Sequence, residues 1–142
     1  MTNPIKDIQA DCREIRKSIL WTSRHSGHGH IPTSFSVVEL LYAVYSTMRH
    51  DPKRPDWPGR DIFILSKGHA SLGLYCTLAK FGYFEIDQVK SFGAHGSIFG
   101  CHADRFKVPG IEASTGSLGH GIGLAVGMAL ANQIRKTPRK IY

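Results

Sequence analysis

The sequence predicts an α/β fold in which a parallel sheet is flanked by helices. Three observations carry this. Helical apolar periodicities recur along the chain, a short continuous apolar run (Asp61-Ile62-Phe63-Ile64-Leu65) follows a turn-rich stretch, and a strand-like entry (Arg139-Lys140-Ile141-Tyr142) follows the last helical pattern. Alternating helix and strand signals define the α/β class, and a short apolar run bounded by turns reads as a buried parallel strand. The 142 residues suit one domain, predicted to be incomplete at its C-terminus because the sequence ends on a strand entry.

The elements follow in order. Asn3-Pro4 reads as an N-cap with proline in the first turn, and Ile8, Cys12, Ile15 and Ile19 recur at helical spacing up to about Trp21 or Ser23. The stretch from His25 to Pro32 is rich in glycine and histidine and reads as a loop. Ser36 and Glu39 match a capping box ahead of Val37, Leu40, Leu41, Val44, Tyr45 and Met48, a second amphipathic helix. Asp51 to Gly59 reads as an exposed connection into the strand. Ser66-Lys67-Gly68-His69 then leads into a helix through Leu72, Tyr75, Leu78 and Ala79, ending at Gly82. Glu85 to Phe92 reads as a further short helix and Gly93 to Gly110 as a long irregular stretch of the kind that holds function. The last helix, Gly119 to Lys136, is apolar nearly all round and so is expected to be buried. Gly119, Gly123, Gly127 and Ala131 would give it one flat face for close packing.

Composition excludes several classes. At 42% hydrophobic and 20% charged the chain is an ordinary globular one. No apolar run has the length of a membrane span, the first ten residues lack a secretory pattern, and three scattered cysteines fit a reduced, cytoplasmic setting. A net charge of +7 attracts anions, either nucleic acid or small phosphorylated ligands, but no nucleic-acid motif accompanies it.

Chemistry concentrates on histidines in glycine-containing stretches: His30 in the first loop, His69 after the strand and His102 in the long loop. Imidazoles converging in one cleft could handle the protons of sugar hydroxyls or a carbonyl. Ser66-Lys67-Gly68-His69 lies between strand and helix, where open α/β sheets bind ligands, and it lacks the P-loop spacing. Ser114-Thr115-Gly116-Ser117-Leu118-Gly119 is a second glycine-rich helix entry. A rival reading takes His25, His28 and His30 as zinc ligands, though no cysteine partner or HExxH motif supports it.

In order and spacing, Gly29-His30-Ile31-Pro32-Thr33-Ser34-Phe35-Ser36-Val37-Val38-Glu39-Leu40, Ile64-Leu65-Ser66-Lys67-Gly68-His69-Ala70-Ser71 and Pro109-Gly110-Ile111-Glu112-Ala113-Ser114-Thr115-Gly116-Ser117-Leu118-Gly119-His120-Gly121 together resemble the transketolase family. The resemblance is strongest to the separate N-terminal subunit of two-subunit transketolases. It implies a thiamine-diphosphate-binding fold, with residues 1–142 forming the N-terminal part of the diphosphate-binding domain. It further implies transfer of a two-carbon ketol unit from a ketose, often phosphorylated, to an aldose. On this resemblance His69, Gly116, Ser117 and Leu118 bind the cofactor, while His30 and His102 meet the reacting sugar. The histidine of the first loop can be framed on His28 or His30, and the distance to Ser36 favours His30. His120 stands where the family commonly has glutamine.

No metal ligand is assigned within the chain. The resemblance places the magnesium ligands beyond Tyr142 and the activating glutamate in a C-terminal, pyrimidine-binding subunit or domain. It therefore implies an oligomer, and no ketol transfer by these residues alone. Two alternatives remain: another thiamine-dependent ketol or acyloin transferase, similar to deoxyxylulose-phosphate synthase, and a non-catalytic paralogue that keeps the fold.

Overall fold

The computed structural model describes residues 4–142, with side chains described from Asp7 onward. The described residues form five α-helices: α1 (Pro4–Ser26), α2 (Ile31–Phe35), α3 (Val38–Thr47), α4 (Ser71–Lys80) and α5 (His120–Ile134). Two short 3₁₀ segments cover Gly68–Ala70 and Ile86–Ser91. The proposed Asn3 cap of α1 lies outside the described residues.

α4 is the centre of the molecule, because every residue from Ser71 to Leu78 is buried. α1, α2 and α3 all pack on it. α1 contributes Cys12, Ile15 and Ile19, at the predicted spacing, while Ile8 is exposed. α3 contributes Val38, Leu41, Tyr45 and Met48. Gly82 ends α4 as expected, with φ +86°. Its N–H donates to the Ala79 carbonyl and the Tyr83 N–H to the Leu78 carbonyl, the paired bonds of a Schellman stop.

The predicted parallel sheet flanked by helices is not formed. Among the described residues the only strand pairing is an isolated parallel bridge between Ile62 and Ile141. The extended segment 61–65 and residues 140–142 exchange three ladder bonds: Ile62 N–H to Lys140 carbonyl, Ile64 N–H to Tyr142 carbonyl and Tyr142 N–H to Ile62 carbonyl. The apolar run is extended and mostly buried, as its composition predicts. A sheet needs a continuous ladder along several neighbours, however, and here the flanking apolar surface is covered by Ala113, Ala125 and Met128 instead.

Three local readings also change. α1 runs on to Ser26, and helix resumes at Ile31, so the glycine–histidine loop shrinks to residues 27–30. Pro32 sits at the start of α2, where a missing N–H costs nothing. Ser36 does not cap α3, because that helix begins at Val38 with Val37 in the N-cap position, and the Ser36 hydroxyl donates instead to the Thr33 carbonyl at the end of α2. The capping box lies instead at Glu85 and Gln88, where the Gln88 side chain accepts from the Glu85 N–H at 3.0 Å. The third change concerns α5, for which the sequence predicts burial. Only Gly121 and Asn132 are buried in it, and Ile122, Val126, Leu130 and Ile134 are exposed.

One strongly held electrostatic unit fixes the start of the 61–65 segment. Asp61 is 2% exposed and accepts from the Arg49 backbone N–H, the Arg49 guanidinium and the Lys140 N–H. Burial opposes its ionisation, but these donors outweigh burial and hold its carboxyl at about 2.

Candidate functional site

The far end of the 61–65 segment delivers Ser66 to Ala70, and the start of α5 arrives beside it. The Thr115 hydroxyl donates to the Leu65 carbonyl at 2.6 Å, tying the two stretches of backbone together. A Cβ on Gly68 would lie 2.5 Å from the Thr115 carbonyl oxygen and 2.9 Å from the Gly116 Cα. Only glycine allows that approach. A Cβ on Gly121 would meet Ser66 at 2.7 Å, so the first turn of α5 lies directly on Ser66. The Ser66 hydroxyl is buried and has no hydrogen-bond partner among the described residues. Gly119 precedes α5 with φ +88°.

The histidines come from three separate segments. His30 and His69 stand with ring centroids 5.4 Å apart, edge to face. α2 is held close to α4 because Gly73 offers no side chain to Ser34, whose carbonyl oxygen would be 3.0 Å from a Cβ there. His102 reaches the same place because α4 anchors its loop. The Ser71 hydroxyl donates to the Cys101 carbonyl at 2.8 Å, and the Tyr75 hydroxyl donates to the carbonyls of Gly100 and His102. A Cβ on Gly116 would lie 3.8 Å from the His102 ring. Lys67 donates to the Ser36 hydroxyl at 3.0 Å, bracing the rim.

His69 is half-buried while His30, His102, Gly116, Ser117 and Leu118 are exposed. Burial, and then the neighbouring His30, Lys67 and His102, hold the pKa of His69 below the usual histidine value. Its imidazole is therefore kept neutral to lower pH, able to donate at one nitrogen and accept at the other. The cluster can thus hydrogen-bond a polar, multiply hydroxylated or anionic ligand at the N-terminal end of α5, where backbone N–H groups and the helix dipole favour negative charge.

The six residues that the sequence singles out (His30, His69, His102, Gly116, Ser117 and Leu118) fall in segments that meet here. Ser66, Thr115, Ser71 and Tyr75 are additions from the structure. Thr115 lies inside a quoted motif, and Ser71 and Tyr75 share one face of α4 at i, i+4 spacing, but their anchoring bonds are long-range and leave no local signal. The zinc reading fails on geometry. His25 stacks on Trp21 and His28 lies against Gly93, and no group of three histidine, cysteine or acidic side chains among the described residues could hold a metal ion.

Residues 11–139 match the family described as transketolase, thiamine diphosphate binding domain. A 6-deoxy-6-sulfo-D-fructose transketolase subunit from Clostridium sp. (strain MSTE9) is 42% identical over 96% of this chain and 50% of its own length. An apulose-4-phosphate transketolase subunit from Actinobacillus succinogenes is 38% identical over 96% of this chain and 50% of its own length. Among solved structures, a Pichia stipitis transketolase in complex with sedoheptulose 7-phosphate superimposes with TM-score 0.79 at 36% identity, covering 88% of this chain and 19% of that one. Leishmania mexicana transketolase gives TM-score 0.81 at 34% identity over the same shares. The family match thus defines residues 11–139 as part of a thiamine-diphosphate-binding domain. The chain belongs to the transketolase family, and it spans about half the length of the two curated relatives named.

Proposed function

We propose that this chain supplies the diphosphate-binding half of a thiamine-diphosphate-dependent transketolase, which moves a two-carbon ketol unit from a ketose donor, phosphorylated or otherwise anionic, to an aldose acceptor. The observation that supports it is the meeting of His30, His69 and His102 at the glycine-rich entry to α5. The site has features that fit the cofactor. Ser66 has a buried hydroxyl without a partner among the described residues, Gly68 leaves the two loops in backbone contact, and α5 opens with its positive dipole end. His69 and the backbone of Gly116, Ser117 and Leu118 would hold it.

Bound thiamine diphosphate supplies carbanion stabilisation, an electron sink that side chains lack. The chain's own part is positioning and proton handling. His30 and His102, exposed beside His69, hydrogen-bond the hydroxyl and carbonyl oxygens of the sugar and exchange protons with them. Magnesium would accompany the diphosphate, but it prefers carboxylate and water oxygens, and the residues gathered here offer imidazoles and hydroxyls. None of them is assigned to it.

Catalysis by this reading needs a pyrimidine-binding partner subunit or domain, and residues 1–142 alone are inactive. The apolar exposed side of α5 (Ile122, Val126, Leu130 and Ile134) supports docking onto such a partner. Isolation of the native protein with its retained partner, followed by analysis of the released material, tests the reading. Near-stoichiometric thiamine diphosphate, with ketol transfer from a ketose phosphate, is the expected result. Pyruvate as the preferred donor would point to a relative of deoxyxylulose-phosphate synthase, and bound cofactor without any transfer to a non-catalytic paralogue. Zinc without thiamine diphosphate would overturn the assignment.

A further inference from the structure

α5 has two ends, and only its N-terminal end serves the histidine cluster. Its 15 residues span about 22 Å. At the other end, beside Arg60 and the start of the 61–65 segment, lies a pocket of about 170 Å³ lined by Arg60, Arg105, Arg135, Arg139, Glu112 and Asn132.

The four guanidinium groups are not equivalent. Arg60 is committed: it binds Glu112 through two nitrogens, at 2.6 and 2.9 Å, and donates to the Trp57 carbonyl. That pair is 14% and 11% exposed, so it forms a fixed, neutral wall. The salt bridges of the described residues leave Arg105, Arg135 and Arg139 without a carboxylate. Arg139 is held in place, with one nitrogen donating to the Asn132 side-chain oxygen at 3.1 Å while the Asn132 amide donates to the Arg139 carbonyl. Its Nε is buried and has no hydrogen-bond partner among the described residues. A buried N–H of a charged group without an acceptor is costly, and it calls for an oxygen ligand.

A bland account would assign Arg135 to the C-terminal dipole of α5. That dipole amounts to roughly half an elementary charge, which one arginine satisfies. Two further unpaired guanidinium groups and a buried N–H donor remain. The guanidinium fork matches tetrahedral oxyanions that accept several hydrogen bonds at once.

We propose that Arg105, Arg135 and Arg139 form a second anion site, for a phosphate dianion either free or as the monoester of a small metabolite, at the end of α5 remote from the histidine cluster. The site is independent of the cofactor assignment, since no residue is shared. Occupancy joins the 105 loop to the end of α5, and so it stabilises the packing of α5 on the 61–65 segment.

Calorimetric titration of the native protein, with its retained partner, tests this at constant ionic strength. The probes are inorganic phosphate and glucose 6-phosphate. Three proteins are compared: the wild type, the double variant R105Q/R135Q and H69Q. Arg105 and Arg135 are exposed, so their replacement leaves the core intact. Saturable phosphate binding is expected in the wild type and in H69Q, with affinity lowered at least tenfold in R105Q/R135Q. Tighter binding of the ester than of the free ion would assign the site to a metabolite, and the reverse to free phosphate. Absence of saturable binding of both probes overturns the proposal. So does binding that R105Q/R135Q retains, or binding that H69Q abolishes while R105Q/R135Q does not.

Discussion

Replacing Gly68 with alanine should separate the two loops that build the candidate site. The added Cβ would stand 2.5 Å from the Thr115 carbonyl oxygen and 2.7 Å from its carbon, where ordinary contact begins at 3.4 Å. The backbones must move apart by about 0.9 Å, and no side-chain rotation relieves the clash because both contacts are with main chain. Thr115 resists, since its hydroxyl is bonded to the Leu65 carbonyl. Overpacking of this kind costs about 1–3 kcal/mol, partly offset by roughly 0.5 kcal/mol from the stiffer unfolded chain. An unfolding entropy of about 0.3 kcal/mol/K for a chain of this length converts the net loss into a Tm lower by about 2–8 °C. Gly123→Ala is the matched control, because nothing lies within 4 Å of its Cβ. In a helix interior it should gain up to about 1 kcal/mol. Calorimetric scans of the three proteins decide the matter, and a G68A melting point equal to the wild type's would refute the close approach. Cofactor titration adds the functional arm. G68A should weaken thiamine diphosphate about tenfold, or about 1.4 kcal/mol, and unchanged affinity would detach the 68–116 contact from the cofactor site.

Three further outcomes follow from the same geometry. Asp61, held at about 2 against an ordinary 3.8, contributes about 2 kcal/mol that is fully present above pH 4 and lost as pH falls towards 2; urea titrations from pH 5 to 2.5 should show that slope in the wild type and not in D61N. His69, whose pKa is depressed, binds its proton more tightly when unfolded, so its effect on stability is adverse only as pH falls through the histidine range. H30Q should raise the His69 pKa only part of the way, because burial is the larger cause, and an NMR titration giving full recovery would contradict that ordering. Leu130→Glu, on the exposed side of α5, should leave the chain's own stability within about 0.5 kcal/mol yet weaken binding to the partner in sedimentation velocity; equal binding would remove α5 from the interface.

The sequence is most informative where interactions are local. The spacing of Cys12, Ile15 and Ile19 identifies the buried side of α1, and Gly82 marks the stop of α4 because a left-handed residue is needed there. It misleads where two local motifs compete for one residue. Ser36 matches a capping pattern, but it closes α2 and stands one residue ahead of the Val37 N-cap of α3, a consequence of α2 that the glycine-rich spelling of residues 25–32 conceals. Segment 61–65 is legible as buried extended chain, whereas its pairing depends on residues at the far end of the sequence. The histidines can be recognised as accessible and chemically apt. Their convergence cannot, since it rests on Gly73 against Ser34 and on Tyr75 holding the His102 loop, contacts without any sequence periodicity.

α5 shows how composition and burial separate. Its apolar, glycine-spaced sequence predicts burial, yet in the described residues its Gly123 and Gly127 positions face open space while Leu130 and Ile134 are exposed. Apolar helices with glycine every fourth residue lose about 1 kcal/mol of helix stability at each glycine, a cost that open space does not offset. The same helix is tied down at both ends, by Gly121 on Ser66 and by Asn132 on Arg139. Contacts at both ends position the helix, and its apolar side is left bare among the described residues. Phosphate held by Arg105, Arg135 and Arg139 should therefore firm the C-terminal end of α5, and its removal should loosen that end first.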